Sequence, residues 1–234
     1  MDNQAKKIWI TRAQPGADLT ARRVRALGHD PIVAPLLTIS ALTPDALDLA
    51  DVGALAFTSA NGVRAFADLT ARRDFRVFAV GAATAKTAKE VGFRQVLSAD
   101  GDVAALAAGI AARKSDLKGV VLHPGASDPA GDLSESLSAR GIISRRLDLY
   151  DTVQSLLPPG LEEQALEADV VLLHSPKAAA VLAVILRRHP RPDLKALALS
   201  KAVLRPLART KLALKSFAPF PLEAALLNLI DRTP

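Results

Sequence analysis

Short apolar runs alternate with amphipathic helical periods along the whole chain, and each change of period marks an element. The pattern predicts strands near 7–10, 31–34, 54–57, 76–80, 95–97, 119–122, 142–147, 169–173, 195–199 and 214–217. Helices are predicted near 16–27, 60–69, 83–91, 102–112, 130–140, 161–167, 177–188, 201–210 and 221–231. Strand–helix alternation of this kind gives an α/β protein with parallel sheets covered by helices on both faces. All these strands would make one unusually large sheet, so two sheets of about five each are expected. Gly28, Gly92 and Gly141 stand where helices should stop, and Pro221 suits the first turn of the last helix.

The pattern repeats itself. Phe57-Thr58-Ser59-Ala60-Asn61-Gly62-Val63-Arg64, followed by Ala79-Val80-Gly81-Ala82-Ala83-Thr84, has a fainter copy about half a chain further on. The copy is Val170-Val171-Leu172-Leu173-His174-Ser175-Pro176-Lys177, then Leu197-Ala198-Leu199-Ser200-Lys201. Ile8-Trp9-Ile10-Thr11-Arg12 is likewise echoed by Val120-Val121-Leu122-His123-Pro124. Two similar α/β halves suggest a ligand held between them. The rhythm breaks at the proline-bounded stretch Pro35 to Pro44 and at Leu149-Tyr150-Asp151-Thr152-Val153, which both read as crossings between lobes. These crossings, near 35–40 and 148–153, make 36–149 a second lobe inserted into a first lobe built from 1–35 and 153–234.

Ligands of open parallel sheets collect at the carboxyl ends of the strands. The polar residues there are Thr11, Arg12, Thr58, Ser59, Asn61, Gly81, Thr84, His123, Gly125, Tyr150, His174, Ser175 and Ser200, with almost no carboxylate. A strand that delivers small and hydroxyl residues to a helix N-terminus suits oxyanions, whereas hard metals need several anionic oxygens. No metal site is expected. The formal charge of +6 fits either a solvated basic surface or an acidic small molecule. Nucleic acid is not expected, because the paired arginines at 22–23, 72–73, 145–146 and 187–188 are scattered and lack interleaved aromatics. The longest apolar run, Ala178 to Leu186, is too short to span a bilayer, and no signal-peptide stretch occurs near the first residues. With no cysteine there is neither a disulfide nor a thiolate metal site, so a cytoplasmic location is expected.

Absent motifs narrow the chemistry. There is no G-x-G-x-x-G, no G-x-x-x-x-G-K-[ST] and no G-x-S-x-G, which argues against dinucleotide enzymes, P-loop NTPases and serine hydrolases of the elbow type. The four histidines have no metal-ligand spacing. His29 and His189 read as surface residues; His123 and His174, at strand ends, leave a loop role and a functional role open.

Taken together these motifs resemble the uroporphyrinogen-III synthase family. The resemblance rests on Thr11-Arg12, Pro35-Leu36-Leu37, Phe57-Thr58-Ser59-Ala60-Asn61-Gly62-Val63, Val80-Gly81-Ala82-Ala83-Thr84, Tyr150-Asp151-Thr152 and Ser175-Pro176. It implies two flavodoxin-like lobes joined by a two-stranded linker, with the active site in the inter-lobe cleft and no cofactor. The implied reaction cyclises hydroxymethylbilane, a linear tetrapyrrole with eight carboxylates, to uroporphyrinogen III. Ring D is inverted through a spiro intermediate and water is lost. Uncatalysed closure gives the type I isomer, so the task is mainly one of orientation. By resemblance Tyr150 is the proton donor to the departing hydroxyl. Thr11, Arg12, Pro35, Thr58, Ser59, Asn61, Gly62, Gly81, Thr84, Lys86, His174, Ser175 and Ser200 are the substrate-binding set. Arg64 could add charge or be a solvated helix residue. The family's second Gly-x-x-Thr loop should fall at Ser200-Lys201-Ala202-Val203, where both signature residues are absent, and His174 stands where threonine is commoner. The resemblance also implies a monomer with room for a transient contact with hydroxymethylbilane synthase. Two alternatives stay open: a catalytically silent relative, or a two-lobed binding protein for an organic polyanion.

Overall fold

A computed structural model describes residues 4–129 and 131–232. The elements in chain order are β1 Lys7–Ile10, α1 Gly16–Ala26, β2 Asp30–Val33, β3 Leu37–Ala41, β4 Val52–Phe57, α2 Ala60–Leu69, β5 Arg76–Ala79 and α3 Ala82–Glu90. Then follow β6 Gln95–Ser98, α4 Val103–Ala111, β7 Val120–Ala126, α5 Leu133–Ser138, β8 Ser144–Gln154 and α6 Pro159–Leu166. The chain ends with β9 Val170–Leu173, α7 Pro176–Arg188, β10 Lys195–Ala198, α8 Lys201–Leu204, β11 Leu214–Phe217 and α9 Glu223–Leu227. The α/β class with two mostly parallel sheets is therefore as the sequence pattern predicts.

The chain divides into two compact units, unit 1 being 1–39 with 153–234 and unit 2 being 40–152. Unit 1 has the parallel sheet β11-β10-β9-β1-β2. Both faces of this sheet are buried, so its strands read as unbroken apolar runs rather than alternating ones. On one face α1 and α9 cover Ile8, Ile10, Val170 and Leu172 through Ala17, Ala21, Val24, Leu226 and Leu227, joined by Ile230 just after α9. On the other, α7 presents Ala178, Ala179, Leu182 and Leu186 to Trp9, Val171 and Leu173. Trp9 keeps its one polar atom satisfied there: Nε1–H donates to the Ala34 carbonyl over 2.8 Å.

Unit 2 has the sheet β3-β8-β7-β4-β5-β6. One face is packed by Leu106, Ala107 and Ile110 of α4 and Leu133 and Leu137 of α5 on Ala54, Ala56, Phe78 and Val121. Elsewhere in the unit Phe57 and Phe66 meet edge to face at 6.1 Å, and Phe93 lies 6.2–6.3 Å from both. These rings pack the end of β4 against the second half of α2. β3 and β8 pair with the Leu42 N–H donating to the Leu149 carbonyl and the Ser155 N–H to the Leu36 carbonyl, which makes the ladder antiparallel.

The repeat in the sequence is a repeat in the topology. Starting unit 1 at β9 and continuing through β10, β11, β1 and β2 gives the spatial order 3-2-1-4-5; β4, β5, β6, β7 and β8 of unit 2 give the same order. In this arrangement the strand order reverses between the first and fourth strands, and ligands of such sheets sit at the carboxyl ends beside that point. The switch points are β9/β1 in unit 1 and β4/β7 in unit 2.

Several elements differ from the sequence reading. The strand expected at 142–147 and the crossing after it are one continuous strand, 144–154, because the ladder with β3 prolongs it beyond its partner β7. The helix expected over 201–210 stops at Leu204, and 205–207 form a 3-10 turn containing Pro206, whose missing N–H cannot continue an α-helix. The helix expected at 130–140 begins at Leu133; Ala130 lies outside the described residues, Gly131 has φ +126°, and the Asp132 carboxylate accepts from the Glu135 N–H over 2.9 Å. Pro221 precedes the last helix rather than opening it, since Leu222 is extended. His29 is not a surface residue: only 3% of it is exposed, and Nε2 lies 3.0 Å from Asp231 Oδ1.

Candidate anion-binding site at the strand ends

In unit 2 the switch point brings two side-chain pairs together. Thr58 and Ser59 leave the end of β4 together. The Thr58 hydroxyl shares a hydrogen bond of 3.1 Å with His123 Nε2 on β7. The Ser59 hydroxyl meets the Tyr150 hydroxyl on β8 at 2.8 Å. Ser59 is also the N-cap of α2, its backbone extended and its oxygen accepting from the Gly62 N–H over 3.1 Å. Burial pushes the Tyr150 phenol above its ordinary value of 10.0, while the hydrogen bond from Ser59 pulls the other way. The phenol is therefore protonated throughout the neutral range. His123 is neutral: burial, then the Arg146 charge, lower it to about 4 against the opposite pull of Asp148 and Asp132.

Gly62 is required by packing, not by backbone conformation. A β-carbon there would stand 2.6 Å from the Pro124 carbonyl oxygen, on backbone that cannot step aside as a side chain would. Gly62→Ala is expected to lower stability by about 1 kcal/mol, the overpacking cost exceeding alanine's gain in helix propensity. A thermal melt checks this; unchanged stability would mean that the α2–β7 contact relaxes freely.

Along the same edge, β5 delivers Gly81 to the start of α3. Gly81 is extended, its side-chain position is open, and no side chain caps this helix. Thr84 is buried in the first turn. Asn61 is half-buried with its carbonyl 3.4 Å from Arg64 Nη1. Lys86 is exposed and lies 3.7 Å from Glu90.

Unit 1 repeats this geometry with different side chains. Ser175 caps α7 as Ser59 caps α2, accepting from the Ala178 N–H over 3.2 Å. Ser200 matches Gly81 in its extended backbone and makes no side-chain cap. Thr11 is fully buried and its hydroxyl donates to the Leu172 carbonyl over 2.7 Å, so its side chain ties β1 to β9 and is not available to substrate as expected. Pro35 is half-buried just after β2.

The carboxylate-poor edge expected from the sequence is corrected here. Glu223, the first residue of α9, reaches Arg12, Thr20 and Arg23. Arg12 Nη1 donates to Glu223 Oε1 over 3.1 Å and to the Thr20 hydroxyl over 3.3 Å. Burial alone would raise the Glu223 carboxyl, but the Thr20 hydroxyl and the Arg12 and Arg23 charges outweigh it and hold it at about 2. His174 Nε2 stands 3.8 Å from Glu223 Oε1, beyond hydrogen-bond reach, and both ring nitrogens are buried without a partner among the described residues. Burial lowers the His174 pKa, so the ring is neutral near pH 7.

Sequence reasoning missed Glu223 because an acid at a helix start is ordinary, and nothing local ties it to Arg12 more than two hundred residues away. The signal lay in topology: α1 and α9 share one face of the sheet that ends in Thr11-Arg12. A depression of about 570 Å³ lined by Arg187, Arg205, Arg209 and Lys211 adjoins the C-terminal end of α7, at the opposite edge of this sheet, and contributes none of these residues.

Among the described residues no group of three or more histidines and carboxylates could hold a metal, and no helix is long and apolar enough to cross a membrane. The structure is similar to uroporphyrinogen-III synthetase from Helicobacter pylori 26695, with a TM-score of 0.69, 16% identity, and 97% of this chain and 98% of the other covered. It is also similar to a mutant uroporphyrinogen III synthase from the extremely thermophilic bacterium Thermus thermophilus, with a TM-score of 0.57, 19% identity and the same coverage. These likenesses show a shared fold. No curated protein sequence matches the chain. The sequence model of uroporphyrinogen-III synthase HemD matches residues 18–228, nearly the whole chain. The chain belongs to the uroporphyrinogen-III synthase family.

Proposed function

We propose that the chain closes hydroxymethylbilane to uroporphyrinogen III with the strand ends of unit 2 as its chemical centre. The observation that carries this reading is the Ser59–Tyr150 hydrogen bond of 2.8 Å beside the uncapped start of α3. Either hydroxyl can donate in this pair; in the arrangement proposed for catalysis Ser59, which also accepts from the Gly62 N–H, donates to the phenol oxygen. That leaves the Tyr150 proton for the hydroxyl departing from ring A. A hydrogen bond received by the phenol oxygen also steadies the charge that grows there as the proton leaves. The electron-rich pyrrole expels the hydroxyl and leaves an azafulvene. The substituted carbon of ring D attacks it, and the spiro intermediate fragments and recloses with ring D inverted.

Acetate and propionate arms are held by the open N–H groups at the start of α3, by Thr58 and Asn61, and in unit 1 by Arg12, Ser175 and Ser200. The net charge of +6 supports capture of a polyanion. Membership of the family across residues 18–228 disfavours the two-lobed binding protein. The same reading keeps the chain a cytoplasmic monomer that meets hydroxymethylbilane synthase transiently, since the free bilane closes on its own.

Ser59→Ala tests the reading. The lost cap should cost about 1 kcal/mol of stability. The lost partner of Tyr150 should lower kcat about fivefold, a share of the general-acid term. Loss of the cap stability with kcat unchanged would place the proton donor elsewhere.

A further inference from the structure

We propose that Glu223 is a positioning residue that sets the Arg12 guanidinium as a fixed carboxylate receptor on the strand edge of unit 1. This deepens, and rests on, the polycarboxylate-binding reading above. Arg12 follows β1 at the switch point of the sheet, where a bound anion is expected. Its Nη1 is committed to Glu223 Oε1 and to Thr20. Nε and Nη2 donate to no group among the described residues; both lie beside Gly16, and a third of the side chain is exposed, so the proposal gives their N–H groups to a substrate carboxylate. The remaining constraint is Gly16. The guanidinium lies against its Cα, where a β-carbon would come within 2.6 Å of Nε and 2.8 Å of Cζ and Nη2. One edge pinned and one face against bare backbone fix the orientation of a side chain that would otherwise sample many rotamers.

A carboxylate beside a receptor for carboxylates costs affinity by simple charge. Glu223 is ionised at any working pH, and its two arginine neighbours leave the cluster positive. Its presence is explained by what it does to Arg12: it selects which edge of the guanidinium faces outward. Arg23 and Thr20 hold the carboxylate from the α1 side, so the arrangement does not depend on substrate. His174, buried nearby with no hydrogen bond of its own, adds no charge near neutral pH.

The test uses the full chain, with KM and kcat for hydroxymethylbilane, the dissociation constant of uroporphyrin III as an octacarboxylate probe, and the melting temperature. Glu223→Gln and Gly16→Ala are each expected to raise KM and the uroporphyrin dissociation constant about tenfold with kcat unchanged. Gly16→Ala carries the argument free of folding effects, since alanine is tolerated at a helix start and only the end of the Arg12 side chain must move. In an Arg12→Met background, Glu223→Gln should change KM less than twofold, because there is no guanidinium left to position. Independent, multiplying penalties would overturn the proposal. So would a lower melting temperature with KM unchanged, or a fall in KM showing that Glu223 merely competes with substrate. A wild type that turns over and binds uroporphyrin while Glu223→Gln and Gly16→Ala keep its affinity overturns the role of Glu223 alone. A wild type that does neither overturns it together with the function on which it rests.

Discussion

Tyr150→Phe is expected to lower kcat about 30-fold while leaving KM and the type III product almost unchanged. General acid catalysis ordinarily contributes 10²–10⁴-fold, and the lower figure follows from the leaving hydroxyl, which the pyrrole nitrogen already activates. The phenylalanine ring fills the same buried position, so the contacts that fold the bilane are kept; what is lost is the hydroxyl, with its proton and its hydrogen bond to Ser59. Because burial raises the Tyr150 pKa, the tyrosine itself imposes no pH dependence below about pH 10 on the wild-type rate. A variant that retained full kcat would remove Tyr150 from the chemistry. One that turned over normally but released the type I isomer would make it a folding template for the substrate instead.

Acidification is expected to destabilise the protein by about 3 kcal/mol between pH 6.5 and pH 4, most of it through His123. The histidine titrates near 6.5 when unfolded and at about 4 when folded, chiefly because burial disfavours its charged form. A folded pKa below the unfolded one means that the unfolded chain takes up the proton first. The contribution is complete above pH 6.5 and is lost as pH falls through the window to about 4. His174 is shifted in the same direction and steepens the same limb. Glu223 extends the loss below that, since its carboxyl is held at about 2 against an ordinary 4.5. Urea unfolding at pH 7.5, 5.5 and 4.5 measures the slope. His123→Gln, which keeps a hydrogen-bonding group for Thr58 without a titrating ring, should flatten it; an unchanged slope would show that His123 is protonated in the folded protein.

The sheets were legible because buried parallel strands are continuous apolar runs with abrupt polar ends, and Ile8-Trp9-Ile10 or Val170-Val171-Leu172-Leu173 hardly admit another reading. The paired serines were legible for a related reason: a cap needs a hydroxyl at one fixed place, so Ser59 and Ser175 stand out where strand turns to helix. What stayed hidden depends on distant partners. The length of β8 is set by β3, whose sequence is about a hundred residues earlier. The buried His29 ring has its partner in Asp231, and the Thr11 hydroxyl has its partner in a carbonyl of β9, each far away along the chain. Glu223 is the strongest case, since a helix-starting acid looks the same whether it meets solvent or two arginines. Pro206 is different: the break it makes in the helix after Ser200 was readable locally, and the Ala- and Leu-rich period around it masked the signal.

The most direct measurement is the isomer ratio of uroporphyrin formed from freshly generated hydroxymethylbilane with and without the protein. Predominantly type III product in its presence, against type I in its absence, is the result expected from strand ends that fold the bilane for spiro closure. A ratio that stays type I at high protein concentration would contradict the account.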